Sequence, residues 1–251
     1  MSKRALGAAV VGALALTALA VPAAQAAGAG DTKITKVVVD GDNKVAIGTS
    51  GLKTVKISVT ASDNSGIAGA SAFTLEGPDY GFYLSGKPTC AKVSATASTC
   101  SATVKIDPKV DYLSNASAGT WYVDAWIDAK DGDYVWEEKA GSFKFQRASQ
   151  LTANATPEPV KKGKTLTVTG KLSRANWETL KYAGYSGQSV KLQYRKKSSS
   201  TYTTVKTIKS SSTGTLKTTV KASADGYYRF AFAGTSTTPA VNATGDYVDV
   251  K

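Results

Sequence analysis

Six acidic side chains crowd one stretch, WYVDAWIDAKDGDYVWEE at residues 121–138. Asp124, Asp128, Asp131, Asp133, Glu137 and Glu138 stand there among three tryptophans. Carboxylates this dense can work as an acid–base pair or coordinate a hard cation. On an extended strand Asp124 and Asp128 share a face, with α-carbons about 13 Å apart at about 3.3 Å per residue. One ion with ligands at about 2.4 Å does not easily collect both. The gap also exceeds the ~5–9.5 Å between paired glycosidase carboxylates. The turn offers more. Asp128, Asp131 and Asp133 surround Gly132, and Asp63 or Asn64 of the loop SDNSG can approach from the same end. These five would suit calcium, which takes six to eight oxygens from flexible loops, although their spacing departs from the EF-hand loop.

The same stretch has a reading without a ligand. A two-residue type I′ turn at Asp131-Gly132 sets Lys130 opposite Asp133, Asp124 opposite Lys139, Trp126 opposite Glu137 and Ile127 opposite Trp136. Two of these pairs are opposite charges, worth about 0.2–1 kcal/mol each. A hairpin with a charged outer face is the expectation, and calcium binding by the acidic loops is the alternative.

Other chemistry lacks its residues. The chain has no histidine and only two cysteines, so the common general base, the common zinc ligand and the Ser-His-Asp triad are missing. No glycine-rich phosphate loop opens a helix. A non-catalytic protein without an obligatory cofactor is the expectation.

The elements that position these residues follow a leader. Lys3 and Arg4 precede an apolar run over residues 5–21, and AQA at residues 24–26 supplies small residues for cleavage. This predicts a secretory signal peptide over residues 1–26, and hence a secreted protein, extracellular or loosely surface-associated. No later run is apolar enough to span a bilayer. Outside the cytosol Cys90 and Cys100 can pair, and closing so short a loop stabilises the fold by about 3 kcal/mol in chain-entropy terms.

The remainder alternates with a period of two. TVKISVT puts Val55, Ile57 and Val59 on one face and Lys56, Ser58 and Thr60 on the other. SVKLQYR does the same with Val190, Leu192 and Tyr194 against Lys191, Gln193 and Arg195. Such runs, broken by SDNSG, EGPDYG and SNASAG, predict strands of an antiparallel sandwich. No segment carries a sustained helical period. The fold class is therefore all-β, with two tandem sandwiches at residues 32–148 and 160–251. The proline-bearing stretch ATPEPVKKG places a linker at residues 149–159.

At these residues the chain resembles a known family. ISVTASDNSGIAGASAFTLEGP and SAGTWYVDAWIDAKDGD resemble bacterial immunoglobulin-like domains. The C-terminal half, from KKGKTLTVTGKL to DGYYRFAFAGT, is similar to a related domain of secreted actinobacterial proteins, some of them labelled calcium-binding. The resemblance implies a fold, and implies binding or structural roles only broadly. DGYYRF also matches a tyrosine corner. Tyr228 would tie a loop back to the sheet through its hydroxyl, and Trp121 holds the corresponding place in the first domain; the alternative is that both are ordinary core aromatics.

Charge separates the halves. Residues 27–149 hold 13 Lys/Arg against 14 Asp/Glu, and residues 150–251 hold 16 against 5. The excess predicts a surface for polyanions, here an anionic cell-wall polymer or polysaccharide; the alternative is that lysines on strand faces merely keep the sheet edges soluble and unpaired. Lys191, Arg195, Lys196, Lys197, Lys217 and Lys221 are its candidate contacts. Nucleic acid fits less well, because no recognised module is present.

Overall fold

In the first half, alternation sets every central strand. The structure is a computed structural model and describes residues 27–251; the expected signal peptide lies outside the described residues. The first half forms β1 (Ala27–Ala29), β2 (Lys33–Val39), β3 (Lys44–Ile47), β4 (Lys53–Ser62), β5 (Ile67–Glu76), β6 (Gly81–Tyr83), β7 (Thr89–Lys92), β8 (Ala97–Ile106), β9 (Gly119–Ala129) and β10 (Tyr134–Arg147). One sheet runs β2–β4–β8–β7, and the other runs β1–β10–β9–β5–β6. The short β3 adds parallel to the end of β10, an exception among otherwise antiparallel strand pairs. Val55, Ile57 and Val59 turn inward as their spacing predicts, and meet Trp121, Val123, Ala125 and Ile127 of β9 in one buried cluster. Cys90 and Cys100 face each other across β7 and β8 and are bonded.

The second half forms β11 (Ser149–Leu151), β12 (Asn154–Thr156), β13 (Thr165–Asn176), β14 (Lys181–Gly184), β15 (Ser189–Lys196), β16 (Thr203–Lys209), β17 (Thr215–Lys221), β18 (Gly226–Phe232), β19 (Val241–Asn242) and β20 (Asp246–Val248). The long β13 collects β11, β12, β14 and β17 into one sheet, while β16–β15–β18 with β19 and β20 form the other. Leu166, Val168, Val190, Leu192, Leu216 and Phe230 fill the second core. The chain is all-β, as the alternation requires.

Residues 149–159 do not behave as a linker throughout. Ser149–Leu151 and Asn154–Thr156 both pair antiparallel with β13, and Leu151 and Ala155 are buried in the second core. Two apolar residues four apart on short paired segments are enough to draw the backbone into the sheet, where its polar groups find partners.

The joint between the halves is packed. Trp177, which follows β13, is 2% exposed and lies in the first core beside Phe145, with ring centroids 5.2 Å apart. Its Nε1 donates to the Ile47 carbonyl at 3.2 Å, and its backbone N–H donates to Asn115 Oδ1 at 3.0 Å. Arg147, itself buried, donates from Nε to the Ala175 carbonyl at 2.6 Å.

The tyrosine-corner expectation is corrected in the second half. The hydroxyl that ties a loop to the sheet belongs to Tyr194, which reaches the carbonyls of Ala224 and Asp225 at 3.0 and 3.1 Å. Tyr228 is buried against the Tyr194 ring, with centroids 4.8 Å apart. Gly226 permits the approach, since a Cβ there would lie 2.4 Å from that ring. In the first half Trp121 does tie back: its Nε1 donates to the Ser117 carbonyl at 2.7 Å inside the core.

Candidate functional site

The acidic hairpin is longer at its tip than a type I′ turn. Ala129 N–H donates to the Asp133 carbonyl at 2.8 Å, leaving Lys130, Asp131 and Gly132 as a three-residue loop. Gly132 takes φ +97°, the left-handed glycine that such loops require. One extra loop residue moves the register by one. Tyr134 therefore pairs with Asp128, Val135 with Ile127, and Trp136 with Trp126. The charge pairs expected from the two-residue turn are replaced by an aromatic ladder on the outer face. Trp126 stacks on Tyr134 at 5.1 Å and on Trp136 at 6.0 Å between centroids.

Two of the carboxylates serve this ladder. Trp136 Nε1 donates to Asp124 Oδ1 at 2.9 Å, and Trp126 Nε1 donates to Asp128 Oδ1 at 2.8 Å. Ser71 Oγ donates to the other oxygen of Asp128 at 2.6 Å. Burial raises the Asp124 carboxyl above its ordinary value, against the lowering effect of the Trp136 bond. Burial and the nearby Asp124 likewise raise Glu76 on β5.

A different trio of carboxylates converges at the end of the sandwich. Asp31, Asp63 and Asp133 bring ligand oxygens within 4.8 Å of one another. Asp63 is 4% exposed and accepts from Thr32 Oγ1 at 2.7 Å, Ser65 N at 2.8 Å and Ser65 Oγ at 2.6 Å. Those bonds, led by the Ser65 hydroxyl, push its pKa down to about 2. Of the five residues expected around a cation, Asp63 and Asp133 meet. Asn64 lines the adjoining cleft with Lys33 and Thr96. Asp128 is held on the outer face by Trp126 and Ser71, and Asp131 Oδ1 accepts from Asp133 N–H at 3.1 Å within the loop. Asp31 was missed. No signal in the sequence shows that β2 pairs with β4, which sets Lys33 opposite Ser62 and carries Asp31 to the Asp63 loop.

The expected basic contacts divide between the two sheets of the second half. Lys191, Arg195 and Lys196 lie on β15, and Lys197 follows them. Lys217 and Lys221 point outward from β17, which pairs with β13 in the opposite sheet. The outer faces of two stacked sheets look in opposite directions, so these two lysines do not join the β15 face. The structure adds Arg229, opposite Gln193 on β18, together with Tyr202, Tyr227 and Tyr247. The Arg195 guanidinium carbon lies 3.8 Å from the Tyr227 ring centroid and 5.4 Å from that of Tyr202. Arg229 lies 3.8 Å from Tyr202 on the same face, and Lys197 Nζ lies 5.4 Å from Tyr247. Hydrogen bonding to Tyr247 raises the Lys197 pKa. Among the described residues, Lys251 with Asp249 is the one salt bridge of the second half.

No protein-family model matches the chain, and no curated protein matches it either. Solved structures give distant likenesses. The D0-D1 domain of intimin is 17% identical, with 86% of this chain and 98% of that chain covered at a TM-score of 0.29. The Yersinia pseudotuberculosis adhesin InvE is 13% identical over 86% of this chain and 58% of that one, at 0.30. Three N-terminal domains of the bacteriophage RB49 outer capsid protein Hoc are 8% identical over 88% and 70%, at 0.32. Scores this low carry no functional argument. No described helix is long and apolar enough to cross a membrane.

Proposed function

We propose that this is a secreted, non-catalytic protein of tandem Ig-like sandwiches that contacts anionic polymers of the cell surface or its surroundings. The observation that supports this is the outer face of β15 and β18. There Lys191, Arg195 and Arg229, with Lys196 and Lys197 at the end of β15, carry positive charge with no carboxylate within 4.0 Å among the described residues. Arg195 and Arg229 share the Tyr202 ring and lie at most 9.2 Å apart, close to one ~8 Å screening length at physiological salt. Lys191, four residues from Arg195 on β15, is about 13 Å away, so the fields of this face add fully only at low salt. The matching test compares two charge reversals in the intact protein, because Trp177 ties the halves together and rules out dissection. Lys191→Glu with Arg195→Glu, a charge change of the same size as on the other face, should abolish binding to an immobilised polyanion at low salt. Lys217→Glu with Lys221→Glu, on the opposite face, should weaken it far less. Equal losses from both faces would leave only non-specific attraction.

A second reading draws on the acidic end. Asp31, Asp63 and Asp133 gather three carboxylates without a paired lysine or arginine among the described residues, an arrangement that favours a hard cation such as calcium. It requires a calcium-dependent rise in melting temperature that Asp31→Asn with Asp133→Asn removes.

A further inference from the structure

We infer that Arg195 and Arg229, ordered by Tyr202 and Tyr227, form a specific binding site for the carboxylates of an acidic polysaccharide. This rests on the polyanion reading above and names the recognising groups within it. Diffuse positive charge would need only lysines. The geometry here is more particular.

The two guanidiniums share one tyrosine. Their carbons lie 5.4 and 3.8 Å from the Tyr202 ring centroid, so they are at most 9.2 Å apart. Each is further held by one hydrogen bond that uses only part of its donor set. Arg195 gives Nη1 to the Ser199 carbonyl at 2.8 Å, leaving Nε and Nη2 on its other edge. Arg229 gives Nε to Gln193 Oε1 at 2.9 Å, leaving both terminal nitrogens. Either remaining pair is a two-pronged donor that matches two oxygens of one anion. Both side chains are half-buried, and both lack a carboxylate partner among the described residues. Side-chain ordering is therefore largely complete before a ligand arrives, which lowers the entropy cost of binding.

The aromatic spacers favour a planar anion. A carboxylate can lie in the plane of a guanidinium whose ring neighbour is 3.8 Å away. A phosphodiester is tetrahedral and sends its ester arms out of that plane, one of them to the side where Tyr227 or Tyr202 lies 3.8 Å from the guanidinium carbon. Lysine cannot replace arginine in this role, because an ammonium is a point charge without the fixed fork. Arg195→Lys with Arg229→Lys therefore preserves net charge while removing the recognising geometry.

The test measures the protein on immobilised polygalacturonate and on poly(glycerol phosphate) of matched charge, across a salt series. Wild type should prefer polygalacturonate. The double lysine variant should lose about tenfold per arginine, the worth of one charge-assisted hydrogen bond each, with an unchanged salt slope because the charge is unchanged. Tyr202→Leu should also weaken polygalacturonate binding without altering charge. It serves as the second variant should the lysine pair fold poorly. Lysine variants and Tyr202→Leu that bind as wild type does would overturn the arginine site yet leave the diffuse polyanion surface standing. Equal or stronger binding to the polyphosphate would overturn the choice of carboxylate. No binding to either polymer at low salt would overturn the broader reading as well.

Discussion

Replacing Trp177 with alanine asks whether the two sandwiches unfold as one unit. The side chain belongs by sequence to the second half and by burial to the first core, where it is 2% exposed beside Phe145. Truncating a buried tryptophan costs about 3–5 kcal/mol through lost transfer energy and the cavity left behind. Losing the Nε1 donor to the Ile47 carbonyl adds about 1 kcal/mol. For a chain of this size each kcal/mol moves the melting temperature by about 2–4 °C, so the fall should be roughly 10–20 °C. Calorimetry on wild type and variant reads it directly. Wild type should melt in one transition, and the alanine variant should melt early or in two. Trp177→Phe keeps most of the apolar volume but removes the donor, and should cost only about 1–3 kcal/mol. A shift below about 2 °C for the alanine variant is what an exposed site gives. That result would refute the claim that Trp177 joins the halves.

Two further expectations concern the acidic end. Asp63 has a folded pKa of about 2, below its unfolded value of about 3.9. Its stabilising contribution should therefore be complete above about pH 4 and should disappear as the pH falls toward 2. Denaturation midpoints measured across that window should slope less in Asp63→Asn than in wild type; parallel slopes would show that its hydrogen bonds do not hold the carboxylate ionised. Calcium at one hundred times its dissociation constant would add about 2.7 kcal/mol, so a melting temperature unmoved by millimolar calcium would reject a tight site at Asp31, Asp63 and Asp133.

The residues that alternate were legible from sequence. Val55, Ile57 and Val59 point inward, as do Val190 and Leu192, because a strand turns successive side chains to opposite faces whatever its partners are. The Cys90–Cys100 pair followed from proximity along the chain, and the basic excess of residues 150–251 from counting. These are properties of short segments or of composition.

Partnership between distant segments was not legible. The hairpin tip is one residue longer than the Asp131-Gly132 dipeptide implies, and that residue exchanges charge pairs for the Trp126–Trp136 stack. Asp31 reaches Asp63 only because β2 lies against β4, and Lys217 leaves the Lys191 face only because β17 joins β13. Tyr194 rather than Tyr228 ties the corner, since Gly226 opens space for its ring. By itself the sequence determined which side chains turn inward, the disulfide and the sign of each half's charge, all of which arise from period-two geometry, short loops and composition. Tertiary structure alone decided which carboxylates meet, which cations share a face and that Trp177 belongs to the other core, because each depends on packing between strands far apart in the chain.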